Sequence, residues 1–372
     1  MTVVLYGATG YTGRLVTDEL VRRGTDLVLG GRSRERLERV SRERTEGAPV
    51  RMATVDDAHS LAALLEGADV LVNCAGPFTQ AGEPVVRAAV DAGVHYVDST
   101  GEQGFIRMVF ERYGERARRA GVALVPALGF DIVPGDCVAR LAAEGLEPLE
   151  QVTVAYAVEG FGASRGTARS SLDAVSGGDL LYTDGELRHA RLRPERLTFD
   201  FGPPLGRQAM VRLPGGEVLS VPRHTDTRGA EVLITASTLA PHPRLGAAVQ
   251  LLKPGLSLAL RTPLRRVVDA LVDRLPEGPS EDARRSSTFI VEALVRARDG
   301  RTRRLRVTGR DVYGLTAAAL AYGAERMSEP AYDRAGALGP AAAFDPRELL
   351  GALGEFDVRI EAPASAPAEA RR

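Results

Sequence analysis

Val3-Val4-Leu5-Tyr6 runs into Gly7-Ala8-Thr9-Gly10-Tyr11-Thr12-Gly13 and then into Arg14-Leu15-Val16-Thr17-Asp18-Glu19-Leu20, and this stretch decides the fold. It reads as a buried strand, a glycine turn and an amphipathic helix. Gly7 suits a backbone shape that side chains disfavour, Gly10 lets the main chain approach a pyrophosphate, and Gly13 lets helix and strand pack closely. The N–H groups at the helix start, with the Thr12 hydroxyl beside them, face an anion. Glycines also serve ordinary strand-to-helix turns; the strand before and the helix after give this set the context of a dinucleotide-binding turn, with Thr9 and Tyr11 in the same cradle.

The next apolar run, Asp26-Leu27-Val28-Leu29-Gly30-Gly31, ends in Arg32-Ser33-Arg34-Glu35-Arg36. An NAD site usually carries an acid here for the ribose hydroxyls. None is present. Arg32 and Ser33 instead offer a guanidinium and a hydroxyl where an adenosine 2′-phosphate would lie, which favours NADP(H). The competing reading makes Arg32, Arg34 and Arg36 a solvated helix start.

The 372 residues are long enough for two domains, and a hydrophobic content of 44% is ordinary for a globular chain. A formal net charge of −1 implies no nucleic-acid field. Cys74 and Cys137 are the only cysteines, and the five histidines are scattered, so neither a disulfide framework nor a metal-ligand spacing is visible. With the first strand in the place of a signal peptide and no apolar run long enough for a membrane span, a cytoplasmic protein is expected.

Strand and helix alternate to about Leu128, with further strands expected at 49–55, 70–75, 95–98 and 122–126 and helices at 60–66, 83–92 and 104–120. This rhythm predicts a Rossmann-type, doubly wound parallel sheet over residues 1–130. Beyond Pro134 the rhythm changes. A helix at 137–143 precedes strand-like segments at 151–158, 208–213, 217–221 and 231–239, then an apolar helical stretch near 256–275. Two strands at 287–298 and 302–308 meet at Asp299-Gly300, a hairpin signal, and a small-residue helix covers 312–327. The α/β chain therefore carries a second, α+β domain over 131–345 on a mostly antiparallel sheet, then a segment at 346–361 and a disordered Ala/Pro-rich tail at 362–372.

In an open parallel sheet ligands sit beyond the carboxyl ends of the strands. Three glycine-rich or polar turns fall there: Asn73-Cys74-Ala75-Gly76-Pro77-Phe78, Asp98-Ser99-Thr100-Gly101-Glu102 and Gly129-Phe130-Asp131-Ile132-Val133-Pro134-Gly135-Asp136. Together with the first turn, Gly31-Arg32 and Gly82-Glu83-Pro84, these runs resemble the saccharopine dehydrogenase-like oxidoreductases, and within them the trans-acting enoyl reductase group. Arg165-Gly166-Thr167-Ala168 and Leu315-Thr316-Ala317-Ala318 are similar more loosely. A closing Leu-Thr-Pro-Ala segment appears here as Leu338-Gly339-Pro340-Ala341, with Gly339 in place of Thr.

The resemblance implies an NADP-binding Rossmann domain followed by a substrate domain whose sheet also mediates homodimerisation, and a reductase acting on a small molecule. Enoyl C=C reduction, imine C=N reduction and NADP(H) sensing without turnover remain open as functions. A short-chain dehydrogenase needs a Tyr-x-x-x-Lys pair, but Lys253 is the only lysine and Val249 stands four residues before it. The cofactor-binding candidates are Gly7, Thr9, Gly10, Tyr11, Thr12, Gly13, Gly31, Arg32, Ser33, Asn73, Ala75, Gly76, Pro77 and Phe78. Asp131, Glu102 and Asp98 are the catalytic candidates, each also suited to capping or anchoring. Tyr156, Tyr182 and Tyr313 are possible proton donors, Arg165 and Arg169 possible carboxylate ligands, Cys74 a small buried filler and His95 structural.

Overall fold

Parallel strands buried on both faces need near-continuous apolar runs, and the first third of the chain supplies them. In the computed structural model, which describes residues 2–177, 180–190, 197–239, 262, 268 and 270–362, these strands are β1 (Thr2–Tyr6), β2 (Asp26–Gly31), β4 (Val70–Asn73), β5 (His95–Asp98) and β6 (Ala123–Val125), with the more exposed β3 (Val50–Met52) at the edge. They lie in the order β6-β5-β4-β1-β2-β3, every pair parallel. Helices α1 (Tyr11–Arg22), α2 (Arg34–Arg44), α3 (Ala58–Leu64), α4 (Phe78–Ala92), α5 (Gln103–Met108) and α6 (Gly114–Ala120) make the crossovers.

α4 starts at Phe78, five residues before the expected Glu83, because Glu102 from the next crossover accepts from the N–H groups of Phe78 (2.9 Å) and Thr79 (2.6 Å). No neighbouring residue announces that cap. The single helix expected over 104–120 is α5 and α6 joined by a π-helical stretch, Val109–Tyr113.

α7 (Val133–Ala143) leads into β7 (Leu149–Glu159), and α8 (Arg165–Gly177) follows it. β8 (Leu180–Thr183), β9 (Glu186–His189), β10 (Leu197–Asp200), β11 (Arg207–Arg212), β12 (Ala230–Thr235), β13 (Thr288–Ala297), β14 (Thr302–Arg310), β15 (Gly336–Ala337) and β16 (Arg359–Glu361) complete the strands. The second sheet runs β10-β11-β12-β7-β13-β14-β16, with β8 on β12 and β9 on β8. Its pairs are antiparallel except β12–β7. The Asp299-Gly300 hairpin forms, with Gly300 at φ +91°.

Glu217–Ser220, expected as part of a strand, is instead a helical turn continued by Val221–Arg223. All four residues of the first turn are buried, and an apolar run this short carries no period that separates strand from helix. The expected strand at 231–239 stops at Thr235, and Ala236–Leu239 is helical. The apolar stretch expected near 256–275 lies mostly outside the described residues, as does the tail beyond Ala362.

Late segments return to the first sheet. The Val312–Met327 helix, buried along nearly its whole length, packs on α1, β4 and β5, and β15 pairs parallel with β6. One apolar cluster consequently runs from Val3 and Leu29 of the first sheet through Val138 of α7 to Val291 and Leu315.

α7 is the hinge of this arrangement, and Asp136 fixes it. Its buried carboxylate accepts from Ser220 Oγ (2.6 Å) and the Ala341 N–H (2.8 Å) and lies 2.8 Å from His224 Nε2. Burial works to raise its pKa, but the His224 ring and these bonds outweigh it and the net shift is downward. Asp136→Ala strands three partners from two chain segments and is expected to cost about 3–5 kcal/mol in urea unfolding; a loss below about 1 kcal/mol would contradict this account.

Candidate functional site

The carboxyl ends of β1, β2 and β4 face α8 and the Leu213–Gly216 turn across a cleft of about 610 Å³. Gly7 sits at φ +86°, and a Cβ there would lie 2.7 Å from the Ala75 nitrogen, so the glycine turn can touch the β4 turn only without a side chain. A Cβ on Gly13 would run into the Gly7 carbonyl, whereas Gly10 is open apart from that oxygen at 3.5 Å. Gly10 is the N-cap of α1 with no side chain capping it. The turn thus fits a dinucleotide: backbone packed tightly behind, and N–H groups and the Thr12 hydroxyl in front.

Gly7, Thr9, Gly10, Tyr11, Thr12, Gly31, Arg32, Ala75, Gly76 and Phe78 all line the cleft. Gly13, Ser33, Asn73 and Pro77 do not: Gly13 seats α1, Ser33 and Pro77 are the N-caps of α2 and α4, and Asn73 shapes the β4 turn. The Asn73 amide donates to Tyr96 Oη (3.1 Å) and its carbonyl accepts from the Ala75 N–H (2.9 Å). Tyr11 has a second task, donating to the Pro279 carbonyl (3.0 Å) and packing edge-on against Tyr313.

Arg34 and Arg39 are held by Glu38 and Glu35, while Arg32 has no hydrogen-bond or ion-pair partner among the described residues. Arg36, read from sequence only as part of a helix start, lines the same end of the cleft. Asp56 and Glu277 line the cleft near these guanidinium groups, and Glu277 is already paired with Arg14.

The three catalytic candidates separate. Glu102 is buried and fully engaged, accepting from Phe78, Thr79 and Ser170 Oγ (2.7 Å), so it anchors α4 to α8. Asp98 is wholly buried; its Oδ1 accepts from the N–H groups of Thr100 (2.9 Å) and Ala127 (2.8 Å), and burial pushes its pKa up to about 7. Neither lines the cleft. Asp131 does. Asp131 is exposed to the cleft and its carboxylate has no hydrogen-bond partner among the described residues; the protein crowded around that carboxylate raises its pKa to about 6.

Behind Asp131 stands a pair that sequence reading did not assemble. The Tyr156 hydroxyl lies 2.5 Å from Glu217 Oε1 and 3.2 Å from the Asp131 main-chain oxygen. Burial pushes Glu217 up to about 8, against the pull of the Tyr156 hydrogen bond. Gln103 Nε2 donates to the Gly215 carbonyl (2.9 Å), fixing the cleft wall in front of Glu217.

Tyr313 serves the fold, accepting from the Ser164 N–H (2.7 Å). Arg165 donates to the Leu275 carbonyl (2.7 Å) and Arg169 pairs with Asp273, although both line the cleft. Burial pushes the Cys74 thiol up to about 12, and His95 Nδ1 accepts from the Ala123 N–H (3.0 Å), so neither is poised for chemistry.

Residues 3–125 match the family described as the saccharopine dehydrogenase NADP-binding domain. That stretch, a third of the chain, is what is similar to the family. A Mycobacterium tuberculosis protein provisionally named a trans-acting enoyl reductase is 36% identical over 220 residues, covering 55% of this chain and 51% of that protein. A human saccharopine dehydrogenase-like oxidoreductase is 34% identical over 151 residues, covering 36% of this chain and 35% of its own. The chain thus spans about half the length, or less, of these relatives. Yeast saccharopine dehydrogenase (L-Glu forming) shares the fold, with a TM-score of 0.62 at 13% identity over 98% of this chain and 100% of that one. The stretch that matches the saccharopine dehydrogenase NADP-binding domain thus supplies one wall of the cleft, and α8 and the Leu213–Gly216 turn the other.

Asp98 and Glu217 hold protons in the folded chain that the unfolded chain releases near pH 4, so their contribution to stability is largest in acid and is lost as pH rises towards about 8. The thermal midpoint is expected to fall between about pH 5 and about pH 8, and Glu217→Gln to flatten that slope. An unchanged slope in the variant would remove Glu217 from the account.

Proposed function

We propose that this chain is an NADP(H)-dependent oxidoreductase that reduces an activated C=C bond of a small molecule, with Asp131 managing the accompanying proton. The carrying observation is that the glycine turn and the free Asp131 carboxyl share one cleft. NADPH, when bound, supplies the hydride, leaving the protein to orient two reactants and handle one proton. Gly10 and Thr12 would hold the pyrophosphate, Arg32 and Arg36 the 2′-phosphate. Asp131 can hold or release a proton at its carboxyl oxygens near neutral pH, where a general acid–base group works best.

Two observations favour C=C over C=N. The mycobacterial relatives are named for enoyl reduction. Arg165 and Arg169, the candidate ligands for an amino-acid carboxylate, are already engaged by Leu275 and Asp273.

Fluorescence titration is expected to show NADPH binding more tightly than NADH, with Arg32→Ala weakening NADPH about tenfold or more, as losing a charge-assisted bond implies, and leaving NADH unchanged. Equal wild-type affinities would sink the 2′-phosphate assignment. Asp131→Asn is expected to slow NADPH oxidation by enoyl thioesters by about 10²–10⁴ without altering NADPH affinity. Oxidation driven by imines and not by enoyl thioesters would overturn the C=C reading; tight binding with neither would point to a sensor.

A further inference from the structure

Tyr156 and Glu217 are 2% and 1% exposed, and the reaction scheme above leaves both unused. Tyr156 lies on β7, and Glu217 heads the helical turn that follows the cleft-lining Gly215 and Gly216. The space between them and α7 is filled: a Cβ on Gly135 would collide with both the Tyr156 hydroxyl and Glu217 Oε1. The pair is therefore clamped at 2.5 Å, with Glu217 Oε2 buried and unpartnered.

Donor counting favours one protonation state. Tyr156 has one hydroxyl hydrogen and two oxygens within reach, Glu217 Oε1 and the Asp131 carbonyl. Were Glu217 ionised, that hydrogen would go to the carboxylate, leaving the Asp131 carbonyl without its donor and a buried charge with a bare second oxygen. With Glu217 protonated, its O–H donates to Tyr156 Oη and the Tyr156 O–H donates to the Asp131 carbonyl, so both short contacts become hydrogen bonds at once. The charges facing Glu217 agree. Asp131 from the β6–α7 turn and Asp136 from α7 are both acids near it, and Asp136 is already committed to His224.

We propose that Glu217 and Tyr156 are positioning residues for Asp131: a protonated Glu217 orients the Tyr156 hydroxyl onto the Asp131 main chain and so fixes the Asp131 carboxyl in the cleft. When base removes the Glu217 proton to solvent, the Tyr156 hydrogen turns to Glu217 Oε1, and the Asp131 carbonyl is released. The proposal rests on reading Asp131 as the proton-handling group of the cleft.

The test uses the full chain without substrate. Infrared difference spectra with carboxyl-labelled glutamate are expected to show a protonated carboxyl at pH 7 that disappears in mild alkali, is absent in Glu217→Gln and shifts its midpoint in Tyr156→Phe. Carbon NMR of labelled aspartate is expected to show the Asp131 midpoint raised in the wild type and in Glu217→Gln, whose amide can still donate to Tyr156. In Tyr156→Phe and Glu217→Leu it is expected to drop towards the ordinary carboxylate range. An ionised Glu217 at pH 7, or an Asp131 midpoint indifferent to both disruptive variants, overturns the proposal; if one of those variants fails to fold, the other decides. Failure of the functional reading looks different, because unimpaired NADPH turnover in Asp131→Asn would leave these spectra unchanged.

Discussion

Backbone packed directly against other groups, with no side chain between, is the constraint on which this molecule depends. At Gly7 the first turn meets the β4 turn with no room for a Cβ, and at Gly135 the start of α7 meets Tyr156 and Glu217 in the same way. The first contact sets the floor of the cleft beneath the glycine turn. The second fixes where the first domain ends and the second sheet begins, and hence where Asp131 stands. Since interiors respond to volume changes as small as one methylene, both contacts tie cleft shape to residue identity.

Around these contacts, buried carboxyls do different work according to their partners. Asp136, with two donors and an imidazole, is held ionised and binds α7, the 217–224 turns and the start of the 340 segment together. Glu102, with donors from α4 and α8, replaces a local helix cap with a long-range one. Asp98 and Glu217 have too few donors for the cost of ionisation at their depth, and their pKa values rise. Asp131, by contrast, is exposed and opens onto the cleft.

Elements that depend on neighbours in sequence were legible in sequence. The strand–turn–helix opening, the parallel order that follows from it, the Asp299-Gly300 hairpin and the Val312–Met327 helix all carry local signals of period or turn chemistry, and all appear. Arg32 was legible because its place after β2 is set by the glycine turn. Partners brought from afar were not. Glu102 caps a helix more than twenty residues upstream, β15 pairs across more than two hundred residues, and the Glu217 turn takes its helical form from burial on every side. The same limit applied to Arg165 and Arg169, whose engagement by Leu275 and Asp273 follows from tertiary placement.

That engagement also bears on how the cleft is built. Glu277 accepts from Arg14 (2.5 Å) at the first helix, and its carbonyl accepts from the Arg165 N–H (3.1 Å) at the start of α8. Tyr11 donates to Pro279 two residues on, and a Cβ on Gly278 would collide with the Tyr11 ring. The short run 275–279 thereby grips the helix that begins at the glycine turn and the helix that forms the opposite wall. Arg14 and Glu277 are partly exposed, so their ion pair adds little energy by itself. Its geometry matters more: any displacement of α1 relative to α8 must break either the Tyr11 and Arg14 contacts on one side of this run or the Arg165 contacts on the other. The width of the cleft is therefore set by a strap rather than by either wall alone, and the side chains that could read a substrate's charge are among those holding the strap.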